Sequence, residues 1–462
     1  KRKRMGKMYL ASMTGDDESD GQESGGEGGA DMDDSGLPRD VVGERLERER
    51  LASQGKLHQR VAASLSSMDP AAVTQSHLVG HEASVTCLAL TTDGRTLFSG
   101  SKDNAVLKWD VETGTCSTIR PTWKALREEA YAAGKDQFRG SHEGEVLSIS
   151  VSTDGRYMTC GGRDKTVHVY DTRTDSLVKS MTGHRQAITC SAFRRGTYSL
   201  YTGSEDRTVK VWDLNEMGYL ETLFGHQDPV YSMDCWTKEM PISSSADKTL
   251  RAWKILHETH LIFRGHKSSI DNVTMLDDGR YVSGGQDGAL CLWKDTQKKP
   301  VCTKQAAHGS DSSGLNARWV CSLAALKMTD VFASGSYDGM VRLWQADTDK
   351  RQLTEALALP VNGIVNALAL SSELVVAGTG RDHKYGKWFQ DKSCENNIVL
   401  MRLPQAMREA VGRHDVDAEA EGDNHDMDVT LEDDDDVGDY SEEEEDDDTE
   451  EDGVDTEEDE EE

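Results

Sequence analysis

Residues 183–230 read GHRQAITCSAFRRGTYSLYTGSEDRTVKVWDLNEMGYLETLFGHQDPV, and this stretch decides the fold. Four short runs in it alternate apolar and polar residues, and turn residues such as Arg195-Gly196 separate them. Alternation with a period of two is typical of half-buried antiparallel strands. Four strands in a unit of about 40 residues, opened by Gly-His and closed by Trp-Asp, are the pattern of one propeller blade.

The same unit recurs along the chain. The histidines that open a unit are His81, His142, His184, His226, His266 and His308. The aromatic residues that close a unit are Trp109, Tyr170, Trp212, Trp253, Trp293, Trp344 and Trp388. An aspartate stands six residues before each of them, at Asp103, Asp164, Asp206, Asp247, Asp287, Asp338 and Asp382. Seven repeats of one spacing predict an all-β, seven-bladed WD40 β-propeller over residues 71–404.

The sequence leaves two ways of closing the ring. In a WD repeat the run before Gly-His is the outermost strand of the preceding blade. Residues 73–79 have no earlier blade, so we expect them to complete blade seven beside the strand ending at Trp388. That arrangement closes the ring and removes its exposed strand edges. Residues 397–403 compete for the same place.

Charge is spread unevenly along the 462 residues. The net charge is −32, and residues 414–462 contain 30 of the 84 acidic side chains and none of the 52 Lys and Arg. The rest of the chain is close to balance, so the overall acidity does not exclude an RNA partner. Residues 405–462 are predicted to be a disordered acidic tail, because so many like charges cannot collapse into a core. Such a tail favours a basic partner, which histones or ribosomal proteins could supply, although a merely solvated tail has the same composition.

The N-terminal part divides in two. Residues 1–40 start with Lys-Arg-Lys-Arg, continue rich in Gly, Ser, Asp and Glu, and are expected to be mostly disordered. Residues 41–68 place Leu57, Val61 and Leu65 at helical spacing, which predicts an amphipathic helical arm. The arm either packs on the propeller or binds a partner through its arginines. The basic start is compatible with part of a nuclear import signal, and the missing initial Met leaves open whether the chain is a fragment.

No catalytic or metal-binding pattern is predicted. His184, Ser204 and Asp206 superficially match a hydrolase triad, but equivalents recur in several blades, whereas catalysis needs one site. We therefore predict a structural, hydrogen-bonded set of His184, Ser204, Asp206 and Trp212, with Ser101 and Ser336 as equivalents of Ser204 in blades one and six. The nine cysteines include no CxxC pair, the histidines no metal-ligand pair at helical spacing, and no apolar run is long enough to span a membrane. We expect no enzyme activity, metal, cofactor or small-molecule substrate.

Basic side chains concentrate where the loops should emerge. Several of them flank a turn aspartate or a Gly-His pair, where arginine suits phosphate contacts by its charge and its bidentate geometry. The predicted RNA-binding residues are Arg45, Arg48 and Arg60 of the arm and Arg163, Arg185, Arg381 and Lys384 of the propeller. Arg194 and Arg195 lie at a turn between first and second strands, on the opposite face, and are predicted to contact a protein.

Four runs of the propeller are more specific than Trp-Asp repeats. They are AFRRGTYSLYTGSEDRTVKVWD (192–213), YLETLFGHQD (219–228), RWVCSLAAL (318–326) and AGTGRDHKYGKWF (377–389). These runs, with residues 7–13 and 41–61, resemble the family of U3 small nucleolar RNA-interacting WD-repeat proteins, the ribosomal RNA-processing protein nine family. The resemblance covers nearly the whole chain except the acidic tail, which departs from the family pattern.

The resemblance implies a non-catalytic subunit of the U3 small nucleolar ribonucleoprotein in the nucleolus. Such a subunit would join the box B/C region of the U3 RNA after a small kink-turn-binding protein, and support processing of pre-ribosomal RNA for the small subunit with other processome proteins. The alternative is a propeller that binds only proteins, such as a histone-binding chaperone or a ubiquitin-ligase adaptor. Salt-sensitive binding to a U3 fragment separates these readings. The sequence does not decide which propeller face meets RNA.

Overall fold

The computed structural model describes residues 59–66, 68–122, 124, 144–310, 314, 316–388 and 390–403. The predictions for residues 1–40, for the first part of the arm and for the acidic tail lie outside the described residues. Within the described residues the chain forms seven four-stranded antiparallel sheets. This arrangement confirms the seven-bladed WD40 propeller.

Each blade runs from an innermost strand at the ring axis to an outermost strand at the rim. Blade one contains β2 (Val85–Leu90), β3 (Thr96–Ser101), β4 (Val106–Asp110) and β5 (Cys116–Arg120). Blade two contains β6 (Val146–Val151), β7 (Tyr157–Gly162), β8 (Thr166–Asp171) and β9 (Ser176–Thr182). Blade three contains β10 (Ile188–Phe193), β11 (Ser199–Ser204), β12 (Val209–Asp213) and β13 (Gly218–Leu223).

The remaining blades follow the same order. Blade four contains β14 (Val230–Asp234), β15 (Ile242–Ser245), β16 (Thr249–Lys254) and β17 (Thr259–Arg264). Blade five contains β18 (Ile270–Asp277), β19 (Arg280–Gly285), β20 (Leu290–Lys294) and β21 (Cys302–Lys304). Blade six contains β22 (Ser322–Ala325), β23 (Val331–Gly335), β24 (Met340–Asp347) and β25 (Gln352–Pro360). Blade seven contains β26 (Ile364–Leu370), β27 (Leu374–Gly380), β28 (Ile398–Arg402) and β1 (Thr74–Leu78).

Neighbouring blades pack face to face through apolar side chains. Trp212 of β12 is 2% exposed and shares a buried cluster with Val169 of blade two. On the other side of blade three, Gly203 lets the next blade approach closely, because a Cβ there would lie 2.8 Å from Cγ1 of Val230 in blade four. Trp212 is therefore buried between the sheets of blades two and three.

Blade seven closes the ring in a way that combines the two predicted alternatives. Residues 73–79 do supply its outermost strand, β1. That strand pairs with β28, with Ser76 opposite Leu400, and not with a strand ending at Trp388. The competing residues 397–403 therefore form the third strand of the same blade.

The prediction that Trp388 closes blade seven is wrong. Residues 381–397 form a loop between β27 and β28, and Trp388 is 61% exposed in it. In blade three, the residues before Trp212 read RTVKV, with β-branched residues suited to a strand, whereas those before Trp388 read HKYGK. Asp382 and Trp388 have the six-residue spacing of the motif, but no third strand lies between them as it does in the other blades.

The end of the arm docks beside blades six and seven. A short helix, α1 (Ala62–Ser66), buries Leu65, and the preceding Val61 is also buried in the same apolar cluster. Asp330 Oδ1 accepts the backbone N–H groups of Val61 at 2.8 Å and Ala62 at 3.2 Å, which satisfies donors at the start of the helix. Two 3₁₀ turns, Pro70–Ala72 and Ile255–His257, complete the described helical structure.

Candidate nucleic-acid interface

A chain of four side chains fixes blade three, and it differs from the predicted set in one member. His184 Nδ1–H donates to Asp206 Oδ2 at 2.9 Å, so Nε2 accepts the hydroxyl proton of Thr202 at 2.9 Å. Trp212 Nε1–H donates to the same Thr202 oxygen at 2.8 Å. The predicted Ser204 is not in this chain, because its hydroxyl bonds to backbone groups of the turn, including the Asp206 N–H at 3.1 Å.

Four further blades repeat the bridge from histidine through a hydroxyl to tryptophan, and in three of them the histidine also bonds to the turn aspartate, at His226, His266 and His308. In blade one, His81 Nδ1 lies 3.5 Å from Asp103. The bridging hydroxyls of the four blades lie 2.7–2.8 Å from histidine Nε2 and 2.8 Å from tryptophan Nε1, at Ser99, Ser243, Ser283 and Ser334. Ser101 and Ser336, the predicted equivalents of Ser204, donate to backbone carbonyls instead. The sequence of blade five contained a sign of the correct residue, which the prediction missed. There Gly285 occupies the position equivalent to Ser204 and has no hydroxyl, whereas Ser283 occupies the position equivalent to Thr202. These repeated sets hold the blades together.

The two ends of the strands define two faces of the ring. The Asp-turn face consists of the turns between second and third strands of each blade and the connections that lead to the next blade. The first-turn face consists of the turns between first and second strands and between third and fourth strands. Because all innermost strands run in the same direction along the axis, equivalent turns of all blades share one face.

Three of the predicted RNA-binding residues share the Asp-turn face. Arg163, in blade two, is 45% exposed at its side chain, and its Nε donates to Glu145 at 2.7 Å. Arg185, at the start of blade three, and Arg381, after β27, are both exposed. Arg381 Nε also donates to the Cys394 carbonyl at 2.7 Å, which holds the guanidinium against its own loop.

Two lysines that were not in the predicted set extend this charge. Lys102 of blade one donates from Nζ to the His383 carbonyl at 2.6 Å, and Lys387 is exposed in the same loop as Arg381. Burial lowers the pKa of Lys102, the charges of Glu145 and Asp382 oppose that shift, and those of Lys387 and Arg163 add to it. Cations from blades seven, one and two therefore lie near one another, with two carboxylates among them.

Lys384, by contrast, cannot belong to an RNA-binding surface. It is buried at the propeller axis, where its Nζ lies 3.4 Å from Asn272 Oδ1 of blade five. Burial lowers the pKa of its ammonium group, and Asp271 opposes that shift. Its neighbour Tyr385 donates to the Tyr231 carbonyl of blade four at 3.0 Å. Residues 383–385 thus close the axis from the Asp-turn face, a long-range contact that the local sequence does not signal.

The other predicted residues fall elsewhere. Arg60 pairs with Asp349 at 2.9 Å beside a turn of the first-turn face, so the structure separates it from Arg163, Arg185 and Arg381. Arg45 and Arg48 lie outside the described residues. The structure therefore divides the predicted set between opposite faces.

Arg194 and Arg195 lie on the first-turn face, as expected from their turn. Arg194 Nε donates to the Thr237 carbonyl at 2.9 Å, and the Arg195 guanidinium stacks 4.5 Å from the Trp236 ring centre. Arg195 and Trp236 line a cavity of about 450 Å³ at the axis, and Gln59 of the arm lines it as well. This cation–π pair is a rigid, half-exposed feature of that face.

The Asp-turn face also carries an aromatic cluster of Trp319, His383 and Trp388 that was not predicted from the sequence. The Trp388 ring centre lies 5.8 Å from that of His383, in the same loop, and 6.1 Å from that of Trp319, in the loop before β22. Burial and the charges of Lys384 and Lys102 lower the pKa of His383 to about 3, so its ring is neutral at physiological pH. The runs RWVCSL and RDHKYGKW contain these residues, but only the fold brings them together.

The described part of the chain contains no cluster of three or more His, Cys, Asp or Glu side chains that could hold a metal ion. None of the helices described here is both long and apolar enough to cross a bilayer. All nine cysteines are free, and burial raises the pKa of Cys87 and Cys190 to about 12. Their thiols pack as small apolar groups.

The closed ring of blades and its repeated Trp–hydroxyl–His–Asp sets define a WD40 propeller. The WD domain, G-beta repeat family matches residues 73–110, 136–171, 175–213, 218–254, 258–294 and 309–345. Strands β26, β27 and β28 of blade seven lie outside these matches.

Similar proteins show which family of WD40 propellers this chain resembles. The human U3 small nucleolar RNA-interacting protein 2 is 36% identical over 408 residues, which cover 87% of this chain and 82% of the human protein. Ribosomal RNA-processing protein 9 of Saccharomyces cerevisiae is 25% identical over 468 residues, covering 80% of each chain. The structure described as "Structure of U3-55K" has a TM-score of 0.66 and 38% identity, and covers 71% of this chain and 98% of that chain. This chain belongs to the family of U3 small nucleolar RNA-interacting WD-repeat proteins.

Proposed function

We propose that this protein is a non-catalytic RNA- and protein-binding subunit of the U3 small nucleolar ribonucleoprotein in the nucleolus. It joins the box B/C region of the U3 RNA once a small kink-turn-binding protein is in place. There it supports pre-ribosomal RNA processing for the small subunit, together with other proteins of the small-subunit processome. The support is its family membership, since the human relative is called RNA-interacting and the yeast relative a ribosomal RNA-processing protein.

The observation that carries the RNA-binding proposal is the shared position of Arg163, Arg185 and Arg381 on the Asp-turn face. The part of the chain before the acidic tail is nearly balanced in charge, so affinity for RNA requires a local concentration of cations. The arginines of blades two, three and seven supply it, and their spacing around the ring suits a folded RNA whose phosphates are met at several points. Duplex parts of the RNA would be recognised by shape rather than by base sequence.

The two faces divide the partners in this proposal. The Asp-turn face meets the RNA, and the arm adds Arg45 and Arg48. The first-turn face, with Arg194 and Arg195, meets a protein of the particle. The fixed Arg195–Trp236 pair at a cavity mouth is the feature that favours a protein side chain or peptide there.

The test is a titration of the U3 box B/C RNA, bearing its kink-turn-binding protein, at several salt concentrations. The variant changes Arg163, Arg185 and Arg381 together to Ala. A matched control changes Arg60, Arg194 and Arg195 together to Ala, which removes the same charge from the opposite face. Circular dichroism on each protein checks that the fold survives.

We expect weaker binding by the first variant and a salt slope of log K lowered by about 2–3, because each lost phosphate contact lowers it by roughly 0.7–0.9. The control should keep the slope of the wild type. Equal slopes in the two folded variants would reject the Asp-turn face as the RNA site. A wild type with no preference for this RNA would favour a protein-only scaffold, such as a histone-binding chaperone or ubiquitin-ligase adaptor.

A further inference from the structure

Trp388 is the exposed tryptophan among those that the structure describes. Trp109, Trp212, Trp293 and Trp344 are each at most 2% exposed, whereas Trp388 is 61% exposed. An exposed indole forgoes the favourable burial that large aromatic side chains usually gain in folding. Isolated exposed apolar residues are common, but this one is held in place by its neighbours.

The Trp388 indole is supported on several sides. Its ring meets Trp319 edge to face at 65° and His383 at a tilt of 46°. Gly386 lies against the six-membered ring, because a Cβ there would be 3.1 Å from Cε2 and Cζ2 of Trp388. His383 is itself 1% exposed, and its carbonyl is held by Lys102. The indole is therefore fixed in position while much of its surface faces solvent.

Two lysines lie close to this ring. Lys387 is adjacent in sequence, and Lys102 donates to the carbonyl of His383, whose imidazole contacts the indole. The charges that act on Lys102 are the carboxylates of Glu145 and Asp382 and the cations of Lys387 and Arg163. The loop also carries carboxylates, but Asp391 is engaged by the backbone N–H and the hydroxyl of Ser393. A flat, fixed aromatic surface bordered by cations is the combination that single-stranded nucleic acids meet in their binding proteins.

We propose that the Trp388 indole is a stacking platform for one unpaired nucleobase of the bound RNA, with Lys387 and Lys102 beside it meeting the flanking phosphates. This inference rests on the proposed function and adds a specific subsite to it. The arginines hold the RNA by charge, whereas Trp388 selects a nucleotide that is free to leave its helix. Any base can stack, so the platform selects for single-stranded character more than for base identity.

Trp388→Ala tests the proposal on the full chain, with the U3 box B/C RNA bearing its kink-turn-binding protein. We expect the Kd to rise roughly 5- to 150-fold, the range that loss of one stacked base produces. Trp388→Phe should restore most of the affinity. Gly386→Ala, whose Cβ must displace the ring, should weaken binding without removing the aromatic group. Leu256→Ala, an exposed residue of blade four (79%), is the control that should bind as the wild type does.

A second readout separates stacking from charge. The RNA carries 2-aminopurine at one unpaired position at a time, because stacking on an indole quenches its fluorescence. One position should be quenched by the wild type and by Trp388→Phe but not by Trp388→Ala. The salt slope should stay unchanged in Trp388→Ala, since no phosphate contact is lost.

The outcomes distinguish this inference from the proposed function. Wild-type affinity in Trp388→Ala, beside weakened binding in the triple arginine variant, would remove the platform and keep the RNA-binding face. Weakened binding with no Trp388-dependent quenching at any position would also overturn the stacking role. Unchanged RNA affinity with failed incorporation into the particle would assign Trp388 to a protein contact instead. If the wild type shows no preference for this RNA, both proposals fail together.

Discussion

Thr202→Val removes one hydroxyl from the centre of blade three and keeps the shape of the side chain. In the wild type, this hydroxyl donates to His184 Nε2 and accepts Trp212 Nε1–H, at 2.9 and 2.8 Å, and Thr202 is fully buried. The substitution leaves the histidine nitrogen and the indole N–H without partners. Each buried polar group left unsatisfied costs about 1–3 kcal/mol, so we expect the free energy of unfolding to fall by about 2–6 kcal/mol.

The assay is guanidinium unfolding and thermal melting followed by circular dichroism. It compares three threonine variants, Thr202→Val, Thr222→Val and Thr202→Ser. Thr222→Val is the matched control, because the Thr222 hydroxyl meets Lys210 and Tyr219 on the half-exposed outermost strand and its loss should change stability by about 0.5 kcal/mol or less. Thr202→Ser keeps the hydroxyl that four other blades already supply from serine. Its loss of one methyl group should cost about 1 kcal/mol.

Two results would refute this reasoning. If Thr202→Val and Thr222→Val unfold at the same denaturant concentration, the Thr202 hydroxyl does not bridge His184 and Trp212. If Thr202→Ser is as unstable as Thr202→Val, the effect comes from packing of the methyl group and not from the hydrogen bonds. Either outcome would reopen the assignment of Ser204 to the set.

Acid should weaken the propeller through its turn aspartates. Burial acts to raise their pKa values, but hydrogen bonds from histidine and backbone N–H groups hold them below the ordinary 3.8 at Asp103, Asp206, Asp247, Asp287 and Asp338. As the pH falls, the aspartates of the unfolded chain take up protons before those of the folded chain. The stabilisation by these aspartates is therefore complete above about pH 4 and lost below it. A guanidinium midpoint that rises between pH 4 and pH 3 would contradict this role of the turn aspartates. Leu65→Ala should release the arm from blades six and seven, at a cost of about 2–5 kcal/mol to its docking, and speed protease cleavage before Val73. Leu220→Ala, at an exposed position, is the control, and equal cleavage of both variants would argue against docking.

The sequence was sufficient for the parts of the molecule that repeat. The spacing between Asp206 and Trp212 occurs seven times along the chain. It predicts seven blades because each blade needs the same turn and the same buried aromatic residue at the same positions. The bridging hydroxyl was assigned two residues too late, since Thr202 and Ser204 lie on the same side of β11 and both are hydrogen-bonded. Only the positions of the atoms distinguish a bridge to Trp212 from a bond to the turn.

The parts that the sequence could not predict depend on long-range contacts. Lys384 follows a turn aspartate as other cations do, yet the loop that carries it folds into the ring axis and meets Asn272 and Tyr231 through neighbouring side chains. No local pattern indicates this, because the partners come from blades four and five. The closeness of Trp319 and Trp388 likewise arises only when blades six and seven are side by side.

Both blades that depart from the repeat contribute residues to the candidate site. Blade two has Tyr170 in place of the tryptophan, and its Asp164 lies 3.3 Å from His168 and 3.5 Å from Arg120. Blade seven takes its third strand from β28, so that Trp388 lies in the loop between β27 and β28 and not in a strand. Sequences that keep one fold usually violate its local rules where function requires it. Arg163 lies in the first of these blades and Trp388 in the second, so the two blades whose third strand lacks the motif tryptophan both contribute to the surface to which we assign RNA.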